Sequence, residues 1–285
     1  MKIAVLILAH KNIWQLEKLV ERLRRDFDVY IHADQKWNLD LDLFKKYPNV
    51  FFVKRYSVNW GSYSQIMATL VLFKTAYLKN YQYYMLISGQ DIPIKCNSFI
   101  KTFLEQNQYA NFVNNEALPK KEWAGQNGGY DRLNYYFGND FGQNLLGAIK
   151  RRSLYFMQDV QKKLNIRRKL YPIKYFGGWN WVNLNSEAMN YIMTFLKEQP
   201  AFLKTFKYTY CADEIWLQTI LLNSSVNVNN NNLRYTDWEP HAANPKTLLK
   251  EDLDKIKASD DLFARKFDET IDKDVINSLY EITKE

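Results

Sequence analysis

The stretch IAVLILAH, residues 3–10, decides the fold class of this chain of 285 residues. Its seven apolar residues run without a polar interruption and stop at a histidine. A continuous apolar run of this length is typical of a parallel strand covered on both faces, because a strand with one wet face alternates polar and apolar residues. The sequence therefore predicts a first buried strand over 3–9.

The residues that follow alternate between helical and strand-like patterns. Apolar residues recur with a helical period over 13–23 and again over 63–79. Short apolar runs typical of strands lie at 29–31, 50–53 and 83–87. This repetition predicts an α/β fold with right-handed crossovers. No repeat or Pro-rich or Ser-rich linker interrupts the chain, so we expect a single domain over 1–285, with helices over its last 40 residues.

The charge balance is basic, with 39 Lys and Arg against 31 Asp and Glu and a net charge of +8. Such an excess attracts polyanions, acidic membranes and phosphorylated small molecules alike. No zinc-finger spacing, basic heptad region or RNA-binding signature accompanies it, so we expect no nucleic-acid partner.

The sequence lacks GxGxxG, GxxxxGK and HExxH patterns, which argues against dinucleotide, P-loop and zinc sites. Two cysteines, Cys96 and Cys211, predict reduced thiols and no disulfide scaffold.

A strongly basic segment runs from Lys150 to Lys169, with eight Lys or Arg and one acid, Asp159. Its apolar side is formed by Leu145, Ile149, Phe156, Val160 and Leu164. The segment is either a solvated helix or a surface that docks on an anionic membrane or a lipid-linked substrate. The sequence shows no signal peptide and no apolar run of the ~20 residues that a bilayer span requires. We therefore expect a cytoplasmic protein. If the segment docks on a membrane, the protein would lie peripherally at the inner face; if the segment is a solvated helix, no such contact follows.

Polar side chains follow three of the four predicted strands. His10 follows the first, His32 and Asp34 follow the second, and Ser-Gly-Gln-Asp follows the fourth at 88–91. Ligands of open α/β sheets bind beyond the carboxyl ends of the strands, so these groups are candidates for a nucleotide pocket. Because Asp and Gly also follow strands in ordinary turns, the pattern alone leaves both interpretations open.

Two adjacent carboxylates, Asp213 and Glu214, precede an apolar helical face. Acidic residues are favoured in the first turn of a helix, so a structural role is one interpretation. A carboxylate aimed into an aromatic pocket is also suited to act as general base toward a sugar hydroxyl. Trp179, Trp181 and Trp238 are candidates for stacking on sugar rings, since aromatic rings offer an apolar face beside a polar rim.

Eight stretches distributed along nearly the whole chain resemble one family. They are ILAHKN (7–12), YIHAD (30–34), WGSYS (60–64), LISGQDIPIK (86–95), GGWNW (177–181), ADEIWLQT (212–219), LRYTDW (233–238) and SDDLFARKFD (259–268). In this order they resemble the core-2/I-branching β-1,6-N-acetylglucosaminyltransferases and the related peptide O-xylosyltransferases. The resemblance implies a GT-A type fold, in which 1–110 binds the nucleotide sugar, 111–240 binds the acceptor and holds the catalytic base, and 241–285 supplies a diphosphate-binding lysine.

Position by position, the resemblance also implies roles for individual residues. Glu214 matches the catalytic base, and Arg234 and Lys266 match cations that hold the diphosphate. The other candidates for donor binding follow predicted strands: His10, Asp34 and Asp91. The candidates for acceptor binding are three tryptophans and one arginine: Trp179, Trp181, Trp238 and Arg132.

The resemblance further implies inverting transfer from a UDP-sugar with no metal ion and no other cofactor. Most GT-A enzymes hold a divalent ion with Asp-x-Asp after a strand, whereas residues 88–91 are Ser-Gly-Gln-Asp. Four Asp-x-Asp patterns lie elsewhere, as expected by chance in a charged chain. Arg234 and Lys266 are then expected to stabilise the departing diphosphate, because two fixed cations can take over the charge-stabilising role of a metal.

Differences between this sequence and the animal members of the family bear on its source and its substrates. Animal members carry a membrane anchor, a stem and many disulfides that this sequence lacks, which favours a bacterial enzyme of surface-polysaccharide synthesis. We expect GlcNAc or xylose as the donor sugar, and an oligosaccharide or lipid-linked glycan as the acceptor.

Two alternatives to a glycosyltransferase are a non-catalytic carbohydrate-binding protein and a glycoside hydrolase. A hydrolase needs two carboxylates about 5–10 Å apart, whereas adjacent side chains on a helix diverge by ~100°.

Overall fold

The computed structural model describes residues 1–123, 127–137, 145–239 and 244–284, apart from the side chains at 145, 151 and 155. In chain order, the strands of these residues are β1 (Ile3–Ala9), β2 (Asp28–Ala33), β3 (Val50–Phe52), β4 (Tyr83–Ser88), β5 (Ile92–Pro93), β6 (Asn111–Val113), β7 (Glu116–Ala117), β8 (Phe176–Gly177), β9 (Val182–Asn185), β10 (Val228–Asn229), β11 (Arg234–Thr236) and β12 (Phe263–Arg265).

Helices connect most of these strands. They are α1 (Ile13–Leu23), α2 (Tyr63–Tyr77), α3 (Asn97–Gln106), α4 (Tyr130–Asn134), α5 (Leu145–Lys163), α6 (Ser186–Glu198), α7 (Phe202–Phe206), α8 (Trp216–Leu222), α9 (Leu253–Ala258) and α10 (Lys273–Ile282). Short 3-10 helices occupy Leu41–Phe44, Ala212–Glu214 and Lys250–Asp252.

The main sheet has seven strands in the order β10-β6-β9-β4-β1-β2-β3. β1 pairs in parallel with both β2 and β4, and β2 pairs in parallel with β3, as the alternating patterns predict. β9 runs antiparallel to its neighbours β4 and β6. The predicted α/β class is therefore confirmed, and the first predicted strand, 3–9, has its predicted ends.

Helices on both faces of the sheet explain the continuous apolar run of β1. Ala4 and Leu6 belong to a core that includes Leu70 of α2 and Trp216 of α8. The intervening residues of β1 belong to a second core, which includes Leu19 of α1. Because successive side chains of a strand point to opposite faces, both sets must be apolar when both faces are covered.

A second sheet, in the order β11-β12-β5, carries the C-terminal part of the chain back to the end of β4. β12 runs parallel to β11 and antiparallel to β5. Helices at α9 and α10 agree with the predicted pattern of the last 40 residues. The helical prediction is wrong at Leu262 and Phe263, because Phe263 pairs with Arg234 on one side and Pro93 on the other.

The middle of the chain contains the basic segment, most of which forms α5. The side chain of Leu145, predicted on its apolar side, lies outside the described part of the chain. Within that part, no helix is both long enough and apolar enough to cross a membrane.

Candidate active site

The carboxyl ends of β1, β2 and β4 open into a cleft of about 770 Å³. The polar residues predicted at these strand ends come together on its surface: His10, His32, Asp34, Ser88 and Gln90. Residues from far along the chain complete the lining, among them Trp179, Trp181, Asp213, Glu214, Trp238, Arg265 and Lys266. The fold thus joins the strand ends, the aromatic segment and the two carboxylates in one site.

The end of β2 is held by a network of backbone and side-chain contacts. The Asp34 carboxylate accepts the backbone N–H of Lys36 at 2.8 Å, and the Lys36 ammonium lies 3.9 Å from the same carboxylate. His32 accepts the backbone N–H of Tyr56 through Nε2 at 2.9 Å. Burial lowers the pKa of His32 to about 4, and desolvation followed by the charge of Lys11 lowers the pKa of His10. Both imidazoles are therefore neutral at neutral pH.

Protonation of His32 is expected to destabilise the fold in mild acid. Its folded pKa of about 4 lies below the ordinary value of 6.5, so its contribution is complete above pH 6.5 and is lost as the pH falls toward 4. From about pH 7.5 to about pH 4.5, we expect His32 to account for a loss of about 2–3 kcal/mol in the free energy of unfolding. Denaturant titrations at both pH values measure this loss.

His32→Gln provides the comparison for that measurement. Glutamine does not titrate and still offers an oxygen to the Tyr56 N–H, so its loss of stability in acid should be smaller than that of the wild type by the same amount. Equal losses in the two proteins would show that another group governs the acid response.

Cations from two ends of the chain meet on the cleft. Lys11 pairs with Asp268 at 2.5 Å, while Arg265 lies 3.4 Å from the buried Asp91 carboxylate and 4.3 Å from the centre of the Trp181 ring. Among the described residues, the Lys266 ammonium forms no hydrogen bond or ion pair. Burial and then the charges of Arg265 and Lys11 lower the pKa of Lys266. The cluster therefore has an excess of positive charge that a bound anion would neutralise.

Arg234 lies beneath this cluster and does not line the cleft. Its side chain is fully buried and donates to Asn232 O at 2.8 Å and to Leu86 O and Asn183 Oδ1 at 3.1 Å each. Its Nε is 3.8 Å from Asp91. In this structure the Arg234 guanidinium therefore does not reach the cleft surface, and its contact with a diphosphate stays a prediction.

Asp91 is likewise a buried residue and not a cleft residue. Its Oδ2 accepts the backbone N–H of Ser88 at 3.1 Å, and its Oδ1 faces Arg265. Contact of Asp91 with the donor likewise stays a prediction, because the carboxylate is buried below the cleft surface. Asp91 instead anchors Arg265, which does line the cleft.

Glu214 is positioned by the turn in which it lies. The preceding Cys211 adopts a left-handed backbone conformation with a φ of 46°, and the Glu214 carbonyl accepts the Gly178 N–H at 2.8 Å. The Glu214 carboxylate is 35% exposed, and its Oε2 accepts a hydrogen bond of 2.6 Å from Arg132 Nη1. One carboxylate oxygen is therefore engaged by Arg132, and the side chain remains accessible from the cleft.

Arg132 contacts Glu214 and does not line the cleft, where it was expected to bind the acceptor. Its guanidinium stacks 3.9 Å from the centre of the Trp123 ring. That ring fills the space next to Gly129 and Gly177, where an added Cβ would lie 2.4 Å and 2.3 Å from ring atoms. The two glycines thus admit Trp123, Trp123 supports Arg132, and Arg132 orients Glu214.

Two buried oxygens on the cleft have no donor among the described residues. Asp213 is 6% exposed, and its Oδ2 accepts from Gln65 at 3.2 Å while its Oδ1 has no partner. Asn180 is 7% exposed, and its Oδ1 also has no partner. An unpaired buried acceptor costs about 1–3 kcal/mol, so both favour a ligand that donates hydrogen bonds. Burial and then the neighbouring Glu214 raise the pKa of Asp213.

The three predicted tryptophans all line the cleft, but they contact different residues. Trp179 and Trp238 form a pair with ring centres 5.7 Å apart. Trp181 supports Arg265. A fourth ring, Trp60, also lines the cleft and is 58% exposed.

Sequence reasoning missed several cleft residues. They are Lys11, Trp60, Asn180 and Arg265. Each lies inside a stretch that carries the family resemblance, so the stretches indicated the site although the individual side chains were not singled out.

In the described ranges, no group of three or more His, Cys, Asp or Glu is arranged to hold a metal ion.

Comparison with known proteins agrees with the motifs. The Drosophila melanogaster protein Xylosyltransferase oxt is 25% identical over 310 aligned positions, covering 97% of this chain and 33% of that protein. Human Xylosyltransferase 1 is 23% identical over 309 positions, covering 98% of this chain and 30% of that protein. The chain thus spans about a third of the length of these curated relatives.

The crystal structure of mouse Xyloside xylosyltransferase 1 is similar to 80% of this chain, with 9% identity, 84% coverage of that chain and a TM-score of 0.34. The architecture of this chain, a mostly parallel sheet with one internal antiparallel strand and helices on both faces, is of the GT-A type. The model of the family described as "Core-2/I-Branching enzyme" matches residues 3–257. The chain therefore belongs to the Core-2/I-Branching enzyme family.

Proposed function

We propose that this protein is an inverting glycosyltransferase that moves a sugar from a UDP-sugar to a carbohydrate hydroxyl without a metal ion. The observation that carries the proposal is a single cleft lined both by the Glu214 carboxylate and by the cations Arg265 and Lys266. A base for the incoming hydroxyl and positive charge for the leaving group are the two groups that displacement at a sugar diphosphate needs.

The donor is proposed to lie along the carboxyl ends of β1 and β2. The Asp34 carboxylate retains acceptor capacity beyond the Lys36 N–H, and hydroxyls of a ribose suit it. The diphosphate is proposed to contact Lys11, Arg265 and Lys266. The planar guanidinium of Arg265 matches phosphate oxygens, and Lys266 supplies a compact charge that no described partner neutralises.

The reaction is proposed to be a single displacement. An acceptor hydroxyl donates its proton to Glu214, and its oxygen attacks the anomeric carbon as the bond from that carbon to the UDP oxygen breaks. UDP leaves with the bonding electrons, and the configuration at the anomeric carbon inverts. Arg132 holds Glu214 Oε2, which leaves Oε1 for the hydroxyl proton.

The sugar-binding part of the cleft is proposed to combine rings with unpaired oxygens. Trp179 and Trp238 offer apolar faces, while Asn180 and Asp213 offer acceptors for hydroxyl groups. A pyranose, which has hydroxyls at its edge and C–H groups on its faces, suits both. GlcNAc and xylose are the donor sugars that we propose, and two of the relatives carry xylosyltransferase names.

The acceptor and the cellular role are proposed from the sequence. We propose an oligosaccharide or lipid-linked glycan as acceptor, in the synthesis of a bacterial surface polysaccharide. We place the reaction at the cytoplasmic face of the membrane. The basic character of the chain and the α5 surface described below support a location beside an acidic membrane.

A panel of UDP-sugars with chelator tests the proposed reaction. Release of UDP is measured for each donor, with and without candidate glycan acceptors, in the presence and absence of EDTA. We expect acceptor-dependent release of UDP for at least one donor, and we expect the rate to be unchanged by EDTA. The charge of the leaving group is already offset by side chains in the proposed mechanism, so removal of a metal should have no effect.

Three outcomes would contradict the proposal in distinguishable ways. Strict dependence on manganese would overturn the role of the cation cluster. Release of sugar from a glycoside in the absence of nucleotide would indicate a hydrolase. Binding of sugar without turnover of any donor would indicate a carbohydrate-binding protein.

A further inference from the structure

The helix α5 exposes a continuous apolar stripe, which we call the α5 stripe. It consists of Leu146, Ile149, Phe156, Met157, Val160 and, in the turn that continues the helix, Leu164. Phe156 is 70% exposed and Leu146 is 67% exposed. At 100° per residue, the six side chains fall within an arc of about 100° on the helix surface. They therefore form one face and are not scattered exposures.

The other side of α5 faces the protein with polar groups. Gln158 and Gln161 are buried, at 5% and 7% exposure. Gln158 Nε2 donates to Tyr136 O at 2.9 Å, and the Tyr136 N–H donates to Gln161 Oε1 at 3.3 Å. A helix that faces water normally buries its apolar side and exposes its polar side. In α5 the inner side carries Gln158, Gln161 and the half-buried Leu154, while six exposed apolar side chains lie on the outer side, so the outer face favours a surface that is not water.

Positive charge borders the α5 stripe. On the helical wheel, Lys150 lies just beyond one edge of the stripe, and Arg152 and Lys163 lie just beyond the other; all three are exposed. Arg167 and Lys169 add exposed charge after the helix, and the lone acid of the segment, Asp159, lies about 60° beyond the stripe on the side of Arg152 and Lys163, where these two cations outnumber it. An apolar face flanked by cations on both sides is the pattern of a helix that lies in the interface of an acidic bilayer.

We propose that the α5 stripe docks on an anionic lipid bilayer, with its apolar side chains among the acyl chains and the bordering cations at the headgroup phosphates. A second copy of the chain would bring like charges together along both edges of the stripe. A soluble polyanion would use the cations and leave the apolar side chains in water. Docking needs no sugar transfer; only its use, to bring a lipid-linked acceptor to the cleft, rests on the proposed function.

Vesicle co-sedimentation of the whole chain tests the docking. The protein is mixed with phosphatidylcholine vesicles, with or without about 30% phosphatidylglycerol, at physiological salt. We expect binding to the anionic vesicles at least tenfold stronger than to the neutral ones, and further weakening when the salt is raised. No nucleotide or sugar is present, so the result is independent of the transferase activity.

Matched variants test whether the α5 stripe is the surface that binds the vesicles. Ile149→Ser with Leu164→Ser removes two stripe residues, and Ile271→Ser with Leu78→Ser removes an isoleucine and a leucine elsewhere that are at least as exposed. We expect the first pair to lower the vesicle partition coefficient at least tenfold and the second to change it less than about twofold, because each lost apolar side chain removes insertion free energy. Thermal unfolding of both proteins verifies that they fold.

A charge variant tests the contribution of the bordering cations to vesicle binding separately from that of the apolar side chains. Arg152→Glu with Lys163→Glu should abolish the preference for anionic vesicles, whereas Lys74→Glu with Lys204→Glu, with the same change in net charge, should preserve it. The proposal is overturned if wild-type protein ignores anionic vesicles or if control and stripe variants lose binding equally. Sedimentation velocity that shows self-association lost in the Ile149→Ser, Leu164→Ser protein would assign the stripe to a second copy instead.

Discussion

Replacement of Glu214 by Gln is expected to lower kcat about 10²–10⁴-fold while the Kd for UDP changes by less than about threefold. The amide cannot take the proton of the acceptor hydroxyl, but its oxygen can still accept the hydrogen bond from Arg132 Nη1. The geometry of the site is therefore kept while the base is removed. Steady-state kinetics with acceptor, together with calorimetric titration of UDP, measures both quantities.

Glu198→Gln provides a matched control for that substitution. Glu198 is exposed at the end of α6 and lies outside the cleft, so the same chemical change there should leave kcat and UDP affinity unaltered. If Glu214→Gln kept wild-type kcat, Glu214 would not be the base, and the buried carboxylate of Asp213 would be the next residue to test. A loss of UDP affinity equal to the loss of kcat would indicate that Glu214 binds the donor instead.

Replacement of Lys266 by Met is expected to weaken UDP binding at least tenfold and to lower kcat/KM about 10²–10³-fold. The ammonium has no partner among the described residues, so its removal leaves no buried acceptor unpaired and the fold should be unaffected. The methionine side chain keeps most of the apolar stem. UDP affinity at several salt concentrations and the kinetics of transfer provide the measurement.

Two further variants make the Lys266 result specific. Lys197→Met removes an exposed charge outside the cleft and should leave UDP affinity unchanged. Arg265→Lys keeps a charge beside Asp91 but loses the fork and the stack on Trp181, so it should also weaken UDP binding. Unaltered UDP affinity in Lys266→Met would refute the assignment of the diphosphate to this cluster.

The layering of the fold follows from short-range patterns in the sequence. β1 is apolar at every position because both of its faces are covered, and this property is visible without a structure. The error at Leu262 and Phe263 has an equally plain cause. Three residues are too few to show a strand period, and β12 is stabilised by pairing with β5 and β11, which lie far from it in the chain.

The positions of Arg234 and Arg265 show what the sequence alone did not distinguish. In the register of the second sheet, Arg234 pairs with Phe263, whereas Arg265 pairs with Thr236. Arg265 and Thr236 therefore stand two residues nearer to the cleft, a distance of about 7 Å along a strand. Both line the cleft, while Arg234 remains beside Asp91. Both arginines lie in family stretches, so only the register distinguishes them.

The sequence alone determined the α/β class, the polar strand ends that line the cleft and the family, because local hydrophobic periodicity and short motifs carry that information. The tertiary structure decided that Arg132 holds Glu214, that Arg265 and not Arg234 reaches the cleft, and that α5 turns its glutamines inward. The Arg132–Glu214 and Arg265–Asp91 contacts join residues 82 and 174 positions apart. Such contacts depend on how whole layers pack, and no local pattern encodes that packing.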